Sequence, residues 1–235
     1  PQKPLLAYAV GREVYLLDMT TQQLQAKFPF DNSSVLDLAW HPQQNYLAVS
    51  GHGDVKIWNI NNPSSPPEVL EVPGASLTVA WSANGRYLAS GNLDRTLTIL
   101  EWETPPPWLM QGFPGKVREL AWSQEKTPLL AAACLDGVTL WWQNQKQDQW
   151  QNAVLEYHEG FVRALSFHPK QSLLVSGGDD GVLVLWQQET AIQTLKSPSG
   201  GFACLHWQHQ GHYLAAGIST GEILIWELLL QNQQK

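Results

Sequence analysis

At 235 residues, with 43% hydrophobic and 15% charged positions, the chain can bury a sizeable core, which argues against a disordered segment. Length alone admits one large β domain or two small α/β domains, since length over about 150 is a soft prior. A formal charge of −7 opposes nucleic acid and anionic membrane surfaces as partners, because binding either calls for a basic surface.

The elements repeat. The chain opens with LLAYAV (5–10), EVYLLD (13–18) and LQAKFPF (24–30), which read as a second, a third and an outer strand with no first. VLDLAWHP (35–42), NYLAVSG (45–51), VKIWN (55–59) and EVLEVPG (68–74) follow as a full set of four. The same order returns in LTVAWS (77–82), RYLASGN (86–92), LTILEW (97–102) and PWLMQGF (107–113). It returns again in VRELAWS (117–123), PLLAAAC (128–134), VTLWW (138–142) and NAVLEYH (152–158). A further set is VRALSFHP (162–169), SLLVSGG (172–178), VLVLW (182–186) and AIQTLKS (191–197). The last is FACLHW (202–207), HYLAAGI (212–218) and EILIW (222–226), and ELLLQNQQK (227–235) is long enough for one more strand.

Trp40, Trp81 and Trp122 are spaced by 41, Phe167 follows after 45 and Trp207 after 40, and such a period marks a repeat architecture. Short apolar runs joined by turn residues predict antiparallel meanders. Several runs are apolar at nearly every position, so both faces of each sheet are expected to be buried between like sheets. The outer strands carry charges, Pro and Gly, as solvent-facing edges do.

These segments resemble the WD-repeat β-propeller family, with its unit of about 40 to 45 residues and four strands. The best match is 158–186, with His158, Ser176, Asp180 and Trp186 in family order. The resemblance implies an all-β propeller of four-stranded blades, with those four side chains in a hydrogen-bonded structural relay. Asp180 of the acid pair in SGGDDGVLVLW is then a fastener, and Asp179 a loop residue at the rim. The other units depart from the pattern. Phe113 and Ala132 replace the histidine and serine beside Asp136 and Trp142, Leu100 takes a tryptophan slot, and Thr220 replaces an aspartate ahead of Trp226. A shortened turn carries His52, Gly53 and Asp54 before Trp58. Most blades are therefore expected to hold together by apolar packing alone. The expected organisation is one domain over 1–235: a partial blade at 5–30 and five full blades around 31–59, 74–102, 113–142, 158–186 and 198–227. The ring would have six blades, or be part of a seven-bladed one whose first blade lies before Pro1, the reading the abrupt start favours.

No apolar run approaches the roughly 18 to 20 residues that span a bilayer, and PQKPLLAYAV lacks a signal-peptide layout. Cys134 and Cys204 cannot build a disulfide framework, so buried thiols in a reducing cytoplasm are expected. Cys204, His206, His209 and His212 have metal-ligand chemistry at close spacing, but the expected strand and turn scatter them, so exposed turn histidines are the preferred reading. His41 and His168 recur at one repeat position before proline and read as turn structure. No nucleophile elbow and no phosphate-binding glycine loop is present. No catalytic residue, metal or cofactor is expected.

The function expected is a non-catalytic protein-interaction scaffold. Arg118 and Arg163, beside Lys116 and Phe161, would face the top of the propeller and suit an acidic peptide. Phe161, Phe202, Leu93, Leu135 and Ile218 put apolar groups at turn tips where polar ones are usual, which marks a partner site. A rival surface is the outer rim at Trp108, Met110, Trp150 and the Trp141–Trp142 pair; the proline-rich loops NNPSSPPEV and ETPPPW read as plain surface. The alternative functions are a metal-binding accessory protein or propeller enzyme using Cys204, His206, His209 and His212, and a nucleic-acid platform, which the charge opposes.

Overall fold

The computed structural model describes residues 4–144 and 149–228, and every regular element in them is a strand. The chain divides into two compact units, Pro1–Leu120 and Ala121–Lys235. In the first, β1 (Leu5–Val10), β2 (Glu13–Asp18) and β3 (Gln23–Pro29) form a three-stranded antiparallel sheet in chain order. Next come β4 (Asp37–Trp40), β5 (Tyr46–Ser50), β6 (His52–Asn59) and β7 (Glu68–Trp81), then β8 (Tyr87–Asn92), β9 (Leu97–Glu101) and β10 (Thr104–Met110).

These seven strands are hydrogen-bonded in one series because β7 serves twice. Its first part pairs with β6, with Asp54 opposite Glu71, and its second part pairs with β8, with Val79 opposite Ser90. Where the pairing with β6 shifts register, between Glu71 and Ala75, lie Pro73, which cannot donate to a ladder, and Gly74, whose φ of +68° suits a residue without Cβ. The sequence reads this stretch as an outer strand followed by a new inner one, and the structure runs them together.

The boundary between the units falls inside β11 (Val117–Trp122), whose four-stranded sheet continues with β12 (Leu130–Cys134), β13 (Gly137–Asn144) and β14 (Gln149–Glu156). β15 (Val162–Phe167), β16 (Leu173–Gly178), β17 (Val182–Gln187) and β18 (Thr190–Lys196) form another four-stranded sheet. The last comprises β19 (Phe202–Trp207), β20 (Tyr213–Ile218) and β21 (Ile223–Glu227). Five full sheets of four were expected; this last one has three strands among the described residues, and the tail residues 229–235, where one more strand was expected, lie outside them.

Burial explains the apolar runs. β8, β12 and β16 are buried at every position, because each lies in a sheet covered on both faces. In the first unit, Phe28 and Leu16 pack against Leu47 and Trp58, and Ile57 and Leu70 pack against Val79 and Leu88. In the second, Val138 and Leu155 meet Val162 and Val184, while Val175 and Leu183 meet Phe202 and Leu214. Each core therefore lies between neighbouring sheets, with about 1.5–3 kcal/mol favouring burial of each such large side chain. Close approach also shapes the sequence: a Cβ on Gly177 would lie 2.7 Å from that of Phe202.

Candidate functional site

The turn between β16 and β17 holds the acid pair, and the two carboxylates point to different tasks. Asp180 lies 3.1 Å from His158 Nδ1, His158 Nε2 lies 2.8 Å from Ser176 Oγ, and the Trp186 indole donates to that same Oγ at 2.8 Å. The donors run in one direction: Trp186 N–H to Ser176, Ser176 O–H to His158 Nε2, His158 Nδ1–H to the carboxylate. Asp180 also accepts the backbone N–H groups of Val182 (2.9 Å) and Glu159 (3.0 Å). Burial pushes its carboxyl up, but those two amides and His158 outweigh it and hold the group below the usual carboxylate range.

Ser, His and Asp connected in this order have the wiring of a hydrolase triad. A nucleophile needs an open approach, however, and Ser176 is fully buried with its oxygen already taken by the indole N–H. The arrangement ties β16 to β17 and to the loop before β15.

The seven-stranded series of the first unit is not held by packing alone, as most blades were expected to be. Where Leu100 fills the tryptophan slot, Ser90 Oγ lies 2.7 Å from both Ser76 Oγ and Asn92 Oδ1. Asn92 Nδ2 donates to Thr96 and Thr98 at 2.9 and 3.0 Å, all of them buried. A Ser–Asn–Thr network thus replaces the histidine relay. Asp37 on β4 reaches β7, accepting from the Thr78 hydroxyl (3.1 Å) and the Val79 N–H (2.9 Å).

The two His-Pro histidines are latches, His41 across the seven-stranded series and His168 from one sheet to the next. His41 Nε2 donates to the Gly85 carbonyl at 3.1 Å and its Nδ1 accepts from the Gln43 and Gln44 amides; its ring stands edge-on to Trp81. His168 repeats this on Gly211 (3.0 Å), the Lys170 amide and Trp207. Burial depresses both imidazoles despite the opposing pull of the carbonyls.

Of the residues expected to face a partner, Leu135 and Phe161 come together in the second unit. They rim a cleft of about 400 Å³ that also takes in Asp136, Glu159 and Asp179, and Phe161 is 50% exposed. Arg163 has a partner within its own sheet: Asp179 grips its guanidinium in a two-pronged contact at 2.6 to 2.9 Å, and the guanidinium stacks over Phe161. Asp179 is thus the arginine's anchor and the arginine is engaged within its own sheet. Phe202 and Ile218 are corrected, since both are buried: Gly177 leaves room for the phenyl ring at the start of β19, and Ile218 pairs with it across the ladder. In the first unit Leu93 is exposed at the β8–β9 turn, and Lys116 and Arg118 are exposed at the start of β11.

Cys204 and His206 lie exposed on β19, with His209 and His212 in the following turn. Among the described residues no three His, Cys, Asp or Glu side chains are close enough to hold a metal ion. Cys204 is exposed where a buried thiol was expected, while Cys134 is buried. At the rim Trp108, Met110 and Trp150 are half-buried; Trp141 is buried, and its neighbour Trp142 is half-buried and donates to Gln151 at 3.2 Å. No helix among the described residues is long and apolar enough to cross a membrane.

Comparison with known proteins places these features. The family described as "WD domain, G-beta repeat" matches residues 22–59, 70–100 and 150–187. Protein HIR1 of Cryptococcus neoformans var. neoformans serotype D is 25% identical over 224 residues, covering 78% of this chain and 25% of that protein. The anaphase-promoting complex subunit cdc20 of Dictyostelium discoideum is 24% identical, covering 95% of this chain and 46% of that one. The chain therefore spans a quarter to just under half the length of these curated relatives. A chain in the crystal structure of the mitotic checkpoint complex superposes with a TM-score of 0.81 over 95% of this chain and 71% of its own, at 17% identity, a likeness of fold.

Proposed function

We infer, from a chain that is a WD-repeat β-propeller, that it is a non-catalytic scaffold presenting the turn ends of its sheets to one or more protein or peptide partners. The observation that carries this reading is the Leu135–Phe161 cleft. There an aromatic and an aliphatic side chain stand half-exposed at strand ends, in the company of an anchored arginine. Aromatic and arginine side chains held rigid before binding lose little freedom on docking and dominate interface energetics.

The Ser176–His158–Asp180 relay supports the non-catalytic half of the reading, because its hydroxyl is buried and spent on the indole and imidazole beside it. Lys116 and Arg118, two exposed cations on alternate positions, suit an acidic segment of a partner; Arg163, already paired, orients Phe161 instead. The same reading takes 1–235 as a single domain of the repeat units named above. Neither cysteine is in a disulfide, which supports a reducing compartment such as the cytoplasm.

The test is capture of partners from the native source, quantified by mass spectrometry, with wild type beside Phe161→Asp and Val154→Asp. Val154 is comparably exposed on the outer strand β14. Partners lost with Phe161→Asp and kept with Val154→Asp support the reading. The same set captured by all three, or a captured set that turns over a substrate in the isolated chain's presence alone, overturns it.

A further inference from the structure

The first unit carries a candidate site of its own. Asp54 on β6 and Glu71 on β7 sit directly opposite each other across the ladder, so their side chains leave the sheet on the same face. Like charges in directly opposed positions repel. They border a cleft of about 550 Å³, walled on its apolar side by Val69 and Pro73 and closed by Asn32.

Asp54 is 8% exposed, and its Oδ1 has no hydrogen-bond partner among the described residues; its other oxygen accepts one long bond, 3.3 Å, from Asn32 Nδ2. A buried carboxylate oxygen without a donor is unusual, since such groups are nearly always satisfied. The neighbouring cation does not answer it: Lys56 holds its ammonium over the Phe30 ring, 4.8 Å from the centroid. Burial accordingly pushes the Asp54 carboxyl above its ordinary range, against the weaker pull of Lys56, Asn32 and His52.

We propose that this cleft is a socket for a basic side chain of a partner protein, with arginine the best fit, its guanidinium between Asp54 and Glu71 and its methylene stem along Val69 and Pro73. The fit is one of charge and shape. Two carboxylates across a strand pair present several acceptor sites to the five donors of a guanidinium, and apolar walls suit a side chain that buries its stem and keeps its head polar. Docking would set a positive charge beside the two opposed carboxylates and relieve their repulsion. A divalent ion is the weaker occupant, because among the described residues no third His, Cys, Asp or Glu joins the pair. The inference rests on the scaffold reading only in taking its occupant from a partner chain.

The test uses the full chain, ¹⁵N-labelled, titrated with N-acetyl-arginine methylamide and, separately, with the norleucine analogue and with calcium chloride. Saturable shifts of the Asn32, Gly53 and Val72 amides are expected with the arginine probe alone. In Glu71→Gln, a change at an exposed position that the fold tolerates, the apparent Kd should rise about tenfold, the worth of one charged hydrogen-bond partner. Asp54→Asn should weaken binding at least as much. No shift in wild type, an unchanged Kd in Glu71→Gln, equal shifts with norleucine, or shifts with calcium and none with arginine would each overturn the proposal. Phe161→Asp should leave the titration unaltered, so failure here and failure of the scaffold reading are read in different experiments.

Discussion

Gly211→Ala should unfold the second unit far more readily than Gly221→Ala, although both glycines have a left-handed backbone, with φ of +82° and +97°. A Cβ at 221 meets nothing within 4 Å, so that substitution carries only the backbone cost, roughly 1–2 kcal/mol. A Cβ at 211 would lie 2.4 Å from His168 Nε2 and 2.5 Å from Cε1, atoms of a rigid buried ring. The imidazole must then leave its seat. It gives up the bond to the Gly211 carbonyl and the one from the Lys170 amide, about 1 kcal/mol each, and its edge contact with Trp207, about 0.5–1.5 kcal/mol. The loss for Gly211→Ala should therefore come to about 4–5 kcal/mol. Urea denaturation at pH 7.5, followed by tryptophan fluorescence, measures both variants. In a His168→Ala background the obstacle is gone, and Gly211→Ala should fall to the cost of Gly221→Ala. Equal losses for the two glycine variants, or no relief in the double variant, would refute the latch.

The same histidines predict how stability follows pH. Their folded-state values are depressed, so their contribution is fully present above the ordinary imidazole range, about 6.5, and is lost as pH falls through the folded values. Thermal melts between pH 7.5 and 5 should show a falling midpoint, and a double His41→Ala, His168→Ala variant should show a flatter profile from a lower start. Ser176→Ala leaves the Trp186 N–H and His158 Nε2 without their partner inside the protein, and should cost about 2–4 kcal/mol in the same urea assay. Ser90→Ala should cost about 1–3 kcal/mol by removing one member of a buried network. Asp54→Asn removes a buried charge that faces Glu71 and should raise the urea midpoint at neutral pH, by about 0.5–1 kcal/mol in stability.

The strands were legible because their burial is two-sided. A strand covered on both faces must be apolar throughout, and LLVSGG and LAAAC say so without reference to any distant residue. The relay was an expectation of the family resemblance alone, carried by four residues in family order within one repeat, from His158 to Trp186. The latches were not legible, since His41 and Gly85 lie 44 positions apart and nothing local distinguishes a glycine that makes a turn from one that admits a ring. Asp37 reaching Val79, 42 positions on, is hidden in the same way. The Ser90–Asn92–Thr98 network is written in residues common to any turn, and only its register across β8 and β9 gives it meaning. Phe202 and Ile218 were misjudged because position at a strand end suggests exposure, whereas the space over Gly177 decides it. The Arg163–Asp179 contact is not legible either, because the two residues lie 16 positions apart and meet only once β15 and β16 pair.

The most direct test of the scaffold account is photocrosslinking with p-benzoylphenylalanine placed at position 161 and, separately, at position 192. Phe161 and Ile192 are about equally exposed, one at a turn tip and the other on the outer strand β18. The account predicts partner crosslinks in good yield from position 161 and little from 192. Crosslinks from 192 with none from 161 would contradict it, moving the docking surface to the rim and leaving the Leu135–Phe161 cleft without a role.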